Sequence, residues 1–319
     1  MRAVVRREYG ETEVLRLEQL PDPEPGEGEV LVRVEAAGVN MAEWHLMAGK
    51  PTIARLAFGV PRPKDARLGA DVAGVVEKVG PGVTRLAVGD EVFGSARGSW
   101  AELALAKEGM LRPKPARIGF AEAASVPMAG YTALQAVRLV GDLERTHVAV
   151  TGAGGGVGSY AVQLVSAGGA RVTAVCSARK AEFVRRLGAH DVVDYAAVDP
   201  TAGERRFDAV LDFAGGLPVR RWKRAIKPGG LLVLGGAENG GDLLGPLDRS
   251  LSALVVRGIR VVTLVARESG DDLDALGALL ESGELRPTLA QTYPLAEAAR
   301  AVDDLRAARH PGKLVIVTR

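Results

Sequence analysis

Three glycines at regular spacing are the residues of this chain best suited to binding a ligand. Gly152, Gly155 and Gly158 follow a short apolar run at 147–150 and precede apolar residues at helical spacing. The first N–H groups of a helix lie unpaired at the positive end of its dipole, and glycine lets a phosphate approach them because it has no Cβ. The pattern therefore predicts a dinucleotide site rather than a plain tight turn. Its predicted contacts are Gly152, Gly155, Gly156, Val157 and Gly158.

The end of the second predicted strand indicates which dinucleotide binds. Enzymes that use NAD usually carry Asp or Glu about 20 residues further on, where the carboxylate bonds the ribose hydroxyls. Residues 175–180 read VCSARK and contain no acid. Ser177, Arg179 and Lys180 instead offer a hydroxyl and two cations, which suit a 2′-phosphate. A solvated helix start is the alternative, but cations there oppose the helix dipole, so we expect NADP(H).

The composition limits the class of protein. The 319 residues suffice for two domains, and 41 basic against 39 acidic residues give a net charge of +2, which calls for neither nucleic acid nor an anionic membrane. The single cysteine, Cys176, excludes an internal disulfide and a cysteine-built zinc site. Charges occupy the first residues, and glycines interrupt the uncharged stretch 146–170. We therefore expect no signal peptide and no membrane span, and a cytoplasmic protein.

Two kinds of pattern divide the chain into domains. Residues 1–122 contain short, partly alternating segments punctuated by Gly and Pro, which predict a β-rich, partly closed barrel. From 123 to 268 predicted strands alternate with predicted helices, which is typical of a doubly wound parallel sheet. A last strand at 313–318 is expected to return to the first domain. The expected fold is α/β, with one domain formed by 1–122 and 269–319 and the other by 123–268.

The segment 41–67 stands apart within the first domain. It is predicted to be irregular and contains Pro51, Pro61 and Pro63. A long loop in a compact domain is often functional, so we expect it to face the substrate. A surface insertion without function is the alternative.

Seven motifs occur in an order that resembles a known family. The similarity covers essentially the whole chain and points to the medium-chain dehydrogenase/reductase superfamily, in its zinc-independent quinone-reductase branch. The motifs are AGVN at 37–40, GADVAG at 69–74, GDEV at 89–92, VPMAGYTA at 126–133, the glycines of 152–158, GA at 188–189 with DY at 194–195, and GK at 312–313.

This resemblance implies a fold and a set of site residues. The expected fold is a GroES-like β-barrel domain for the substrate and a Rossmann domain for NADP. The resemblance places Asn40 beside the nicotinamide, where its amide can bond a substrate oxygen; a plain turn residue is the alternative for Asn40. Two roles remain for Trp44 and for Trp100: a wall of the substrate site, or packing in the core. The implied catalytic residues are Asn40 and Thr132, and the further implied cofactor contacts are Ser177, Lys180, Tyr195 and Lys313, with Arg179 beside them.

The resemblance also allows a prediction of whether the chain has a metal site. Zinc alcohol dehydrogenases of the superfamily carry Gly-His-Glu where this chain has Gly69-Ala70-Asp71, and Cys where it has Asn40. They also hold a structural zinc on four cysteines, whereas this chain has a single cysteine. The four histidines are widely separated. We therefore expect no metal site.

The expected activity is an NADPH-dependent, zinc-independent transfer of hydride to a quinone or an α,β-unsaturated carbonyl. Two alternatives stay open: a non-catalytic NADPH-binding protein on a reductase scaffold, and an S-adenosylmethionine-dependent methyltransferase. The β-branched run at 259–265 is expected to end the sheet, where an exposed edge invites pairing. By resemblance, we expect two chains to join there as a homodimer.

Overall fold

The computed structural model describes residues 1–236 and 256–318. The chain divides into two compact units, Met1–Tyr131 with Glu268–Arg319, and Thr132–Arg267. The first boundary falls inside a helix, somewhat after the expected residue 122. Within the described part, no helix is both long and apolar enough to cross a membrane.

The elements follow the order that the sequence patterns indicate, with strands first and alternation later. The described strands are β1 (Arg2–Val5), β2 (Arg16–Gln19), β3 (Glu29–Val39), β4 (Asp71–Val79), β5 (Glu91–Ser95), β6 (Leu103–Lys107), β7 (Leu111–Pro113), β8 (His147–Thr151), β9 (Arg171–Cys176), β10 (Asp191–Asp194), β11 (Phe207–Asp212), β12 (Ile226–Leu234), β13 (Arg260–Thr263), β14 (Leu289–Pro294) and β15 (Lys313–Val317). The described helices are α1 (Met41–Ala48), α2 (Arg55–Phe58), α3 (Phe120–Ala124), α4 (Pro127–Val140), α5 (Gly156–Ala167), α6 (Ala181–Arg186), α7 (Val219–Ala225), α8 (Gly270–Ser282) and α9 (Ala298–Arg306).

The first unit is built on a seven-stranded sheet in the order β14-β15-β3-β4-β5-β7, with β6 also paired to β3. The long strand β3 is its centre, and most of its residues are buried. The last strand, β15, pairs antiparallel with β3, Leu314 opposite Val39. The expected return of the chain end to the first domain is therefore confirmed.

Two details of the first unit differ from the sequence expectation. The segment 41–67 is not irregular throughout, because α1 starts directly after β3 and α2 follows it. The Glu43 carboxylate starts α1 by accepting the N–H of Asn40 at 2.8 Å, as in a capping box. Strand β14, for which the expectation had no counterpart, pairs with β15. Where the chain passes from the first unit to the second, it forms two helices, α3 and α4, which are separated before Pro127 because proline has no N–H to continue the first.

The second unit is a parallel, doubly wound sheet in the order β10-β9-β8-β11-β12-β13. The chain runs outward from β8 to β10 on one side and from β11 to β13 on the other. The α/β Rossmann-type expectation is confirmed. The point where the direction reverses lies between β8 and β11, and ligands of such sheets bind outside the carboxyl ends of the strands at that point.

Candidate functional site

The glycine-rich turn lies at the reversal point of the sheet, between β8 and α5. Gly152 has a φ of +61°, in the left-handed region that glycine adopts without strain. A Cβ on Gly158 would lie 2.2 Å from the carbonyl oxygen of Gly152, so only glycine fits there. Gly155 is the N-cap of α5, and Gly156 and Val157 open its first turn. The turn thus presents helix N–H groups without intrahelical partners, as a pyrophosphate site requires.

The cations predicted to bind the 2′-phosphate lie at the end of the neighbouring strand. Ser177 follows β9 directly, Arg179 is exposed and Lys180 is only 7% exposed. The stem of Lys180 packs on the glycine turn, since a Cβ on Gly154 would lie 2.6 Å from Lys180 Cδ. Burial, and then the charge of Arg179, lower the pKa of Lys180.

The Lys180 ammonium has no ion pair within residues 1–236 and 256–318, so the cation at the end of this largely buried side chain is left for an anion to neutralise. Tyr195 follows β10, the next parallel strand, and is 61% exposed. Its backbone N–H donates to the carbonyl of Cys176 at 3.4 Å. The structure therefore gathers Ser177, Lys180 and Tyr195 at one edge of the second unit.

A buried pair beside the glycine turn was missed by the sequence reasoning. Thr151 Oγ1 donates to Asp212 Oδ1 at 2.6 Å, across the reversal point between β8 and β11. The same hydroxyl accepts the N–H of Ala214 at 3.0 Å, and Asp212 accepts that of Gly215 at 3.1 Å. The pair holds the loop after β11 against the turn. The sequence offered one signal for this pair: Thr151 and Asp212 each end an apolar strand.

In the first unit, Asn40 is the centre of a buried polar cluster. Its Nδ2 donates to Asp71 Oδ2 at 3.0 Å and to Glu43 Oε1 at 3.4 Å. Its Oδ1 accepts a hydrogen bond from Lys313 Nζ. Asp71 also accepts the N–H of Met128 at 2.8 Å. In this arrangement both amide hydrogens of Asn40 have protein partners.

The charged members of this cluster are almost fully buried. Asp71, Glu43 and Lys313 are 0%, 2% and 3% exposed. Burial raises the pKa of Glu43 to about 7; the Asp71 carboxylate adds to the rise and the Lys313 ammonium opposes it. Two signals in the sequence could have indicated the cluster: an acid three residues after Asn40, and an acid and a lysine opening two apolar strands.

The remaining predicted residues lie in different settings. Lys313 uses its ammonium on Asn40, on the carbonyl of Val39 at 3.2 Å and on Asp71 at 3.5 Å, so its predicted cofactor contact stays a prediction. Thr132 is buried in α4. Trp100 is fully buried and donates to the Gly38 carbonyl, so it is core rather than substrate wall.

The positions that carry zinc in the alcohol dehydrogenases do not fit a metal here. Asp71 already pairs with the Lys313 ammonium, and Asn40 is held by the same two residues. Position 70 is alanine, which has no ligand atom. Across residues 1–236 and 256–318, no group of three or more His, Cys, Asp or Glu is arranged to hold a metal ion.

An apolar cavity of about 220 Å³ runs along one face of α1. Ala42, His45 and Leu46 line it from the helix, and Tyr9 and Phe58 from outside. These helix residues lie away from the buried face that carries Glu43. The cavity is thus lined mostly by the segment expected to face the substrate, and its described lining does not include Asn40.

Two family models match the chain. The alcohol dehydrogenase GroES-like domain matches residues 26–131, and the zinc-binding dehydrogenase family matches 187–316. Among curated proteins, a chloroplast envelope quinone oxidoreductase homolog of Arabidopsis thaliana is 32% identical over 93% of this chain and 92% of its own. The 2-methylene-furan-3-one reductase of Solanum lycopersicum is 31% identical over 99% of this chain and 79% of its own.

Solved structures show a similarity to the same kinds of protein. The quinone oxidoreductase of Coxiella burnetii superimposes with a TM-score of 0.89 at 28% identity, over 100% of this chain and 99% of its own. An NAD-dependent alcohol dehydrogenase gives 0.86 at 31%, over all of both chains, and a mycobacterial protein complexed with NADPH gives 0.83 at 28%, over 99% of both. The chain belongs to the medium-chain dehydrogenase/reductase superfamily of oxidoreductases, among its quinone oxidoreductase-like members.

Proposed function

We propose that this protein uses NADP(H) to transfer hydride to a quinone or an α,β-unsaturated carbonyl, without a metal. The observation that carries the proposal is the Lys180 side chain, which is 7% exposed and packs its stem on the glycine turn, while its ammonium has no acidic partner in the part of the chain that the structure describes. A 2′-phosphate supplies the missing negative charge. The relative solved with NADPH supports this choice of cofactor.

Each part of the cofactor has a fitting protein group in the second unit. The first turn of α5 binds the pyrophosphate through Gly156, Val157 and Gly158, with Gly152 and Gly155 shaping the approach. The 2′-phosphate is bound by Ser177, Arg179 and Lys180, with Tyr195 beside them. Bound NADPH supplies the hydride, and the protein orients it and excludes water. Thr132 contacts the nicotinamide end.

The first unit favours a conjugated substrate. Reduction of a simple carbonyl needs an electrophile on its oxygen, the task of zinc in the metal-dependent relatives. The positions that correspond to that zinc carry Asn40, Ala70 and Asp71 here, with Lys313 paired to the aspartate. In a quinone or enone, hydride adds to a conjugated carbon and the charge on oxygen is delocalised, so hydrogen-bond donors suffice. Asn40 is the proposed donor, through the amide hydrogen that faces Glu43 at 3.4 Å.

The reaction is tested by steady-state assay of one preparation with NADPH and 1,4-benzoquinone, an enone such as 2-cyclohexenone, and, in reverse, NADP⁺ with ethanol. We expect reduction of the quinone or the enone, little oxidation of the alcohol, and the same rates after dialysis against a chelator. Ethanol as the best substrate, or loss of activity in chelator that zinc restores, would contradict the proposal.

An alcohol dehydrogenase is the second candidate, since one structural relative at 31% identity carries that description. The same assay decides between the two. A non-catalytic NADPH-binding protein is the third. It would bind NADPH in a fluorescence titration without turning over any of the three substrates.

We further propose that two chains form a symmetric dimer through β13. This strand is the outer strand of the second unit's sheet among the described residues, and Val265 just beyond it is 75% exposed. An exposed β-branched edge pairs readily with a second copy. Light scattering at micromolar concentration is expected to give twice the 33.4 kDa of one chain. The mass of a single chain under these conditions would exclude the dimer.

A further inference from the structure

The carboxamide of Asn40 is held in one orientation. The Lys313 ammonium has only hydrogens to offer, so it faces Oδ1, and the Asp71 carboxylate accepts from Nδ2 at 3.0 Å. This contact uses one amide hydrogen. The other points to Glu43 Oε1 at 3.4 Å, the longest bond of the group. A substrate oxygen that binds Asn40 must therefore compete with Glu43.

The charges around Glu43 balance only when its carboxyl is protonated. Two charged side chains face Glu43, Asp71 on β4 and Lys313 on β15. From its own segment it is faced by the neutral amide of Asn40. Lys313 and Asp71 cancel, so an ionised Glu43 leaves one uncompensated negative charge in a buried cluster. Burial accordingly raises the pKa of Glu43 to about 7, and both forms are populated near neutral pH.

We propose that Glu43 is a positioning residue whose protonation decides whether the second amide hydrogen of Asn40 is free to bond the substrate oxygen. The proposal rests on the function proposed above. When Glu43 is ionised, it attracts that hydrogen. When Glu43 is protonated, the attraction is lost and the hydrogen is available to the oxyanion that develops as hydride is transferred. The start of α1 is kept in both forms, because the other oxygen of Glu43 accepts the Asn40 N–H at 2.8 Å.

The test is the pH profile of Glu43→Gln. In the wild type, kcat/KM for 1,4-benzoquinone is expected to fall about tenfold from pH 6 to pH 8, as the protonated fraction of a group with a pKa near 7 falls. Glutamine keeps the capping oxygen but carries no charge. The variant is therefore expected to show the wild-type value of pH 6 across the whole range, with an unchanged KM for NADPH.

Glu122→Gln is the matched control. Glu122 accepts the N–H of Gly119 at 2.8 Å at the start of α3, the same capping relation, but its described hydrogen bonds include none to Asn40. It is expected to keep the wild-type profile. A wild-type profile in Glu43→Gln would overturn the inference, whereas no reduction of quinone or enone by the wild type at any pH would overturn the proposed function.

A measurement without turnover tests the same protonation. The folded protein holds a proton on Glu43 up to about pH 7, while the unfolded chain releases it near the ordinary glutamate pKa of 4.5. The folded state therefore binds more protons in this window, and the contribution of Glu43 to the free energy of unfolding decreases as pH rises through it. The free energy of unfolding is measured with urea at several pH values for the wild type and for Glu43→Gln. The difference between the two proteins should show this decrease. Parallel pH dependence of the two proteins would contradict the inference.

Discussion

Replacing Lys180 with methionine is expected to weaken NADPH binding by about 1.5–3 kcal/mol, a factor of about 10 to 150 in Kd, and to leave NADH binding nearly unchanged. Methionine keeps an unbranched stem to pack on Gly154, where the lysine stem lies now. It removes only the ammonium, which NADPH neutralises with its 2′-phosphate and NADH does not. Fluorescence titration with each nucleotide measures both constants. Arg179→Ala should shift them in the same direction by less, because Arg179 is exposed.

Lys227→Met is the control for this change. Lys227 lies in the same unit but pairs with Asp208 at 2.9 Å on a partly exposed surface. Its loss is expected to leave both nucleotide affinities unchanged. An equal weakening of NADPH and NADH in Lys180→Met would mean that the ammonium does not bind the 2′-phosphate.

The second large effect concerns stability. Lys313→Met is expected to lower the free energy of unfolding by about 3–5 kcal/mol, because it leaves the Asp71 charge buried without a cation. Urea unfolding at pH 8, followed by tryptophan fluorescence, measures the loss. Trp44 and Trp100 report on the first unit, which contains the change.

The chain supplies two comparisons for this result. Lys227→Met breaks a partly exposed pair and should cost about 0–1 kcal/mol. Adding Asp71→Asn to Lys313→Met should recover part of the lost stability, because the uncompensated charge is then removed. If the double variant is less stable than Lys313→Met alone, burial of the Asp71 charge is not the cause of the loss.

The sequence by itself determined the order and type of most elements and the place of the glycine turn. These features are local: alternation and helical spacing set strands and helices, and a positive φ or a backbone contact requires glycine at 152 and 158. The absence of an acid after β9 and the presence of Lys180 could also be read from neighbouring residues. The helix α1 was missed because its start depends on one side-chain contact, from Glu43 to the N–H of Asn40.

Only the tertiary structure decided the surroundings of Asn40. Asp71 lies 31 positions from it and Lys313 lies 273 positions from it, and they meet because β4 and β15 pair with the two edges of β3. No local pattern indicates which strands become neighbours in a sheet. The burial that raises the pKa of Glu43 has the same origin, because it depends on what the whole sheet packs over the cluster. The sequence therefore determined which groups are present, and the pairing of distant strands decided which of them are hydrogen-bonded to one another.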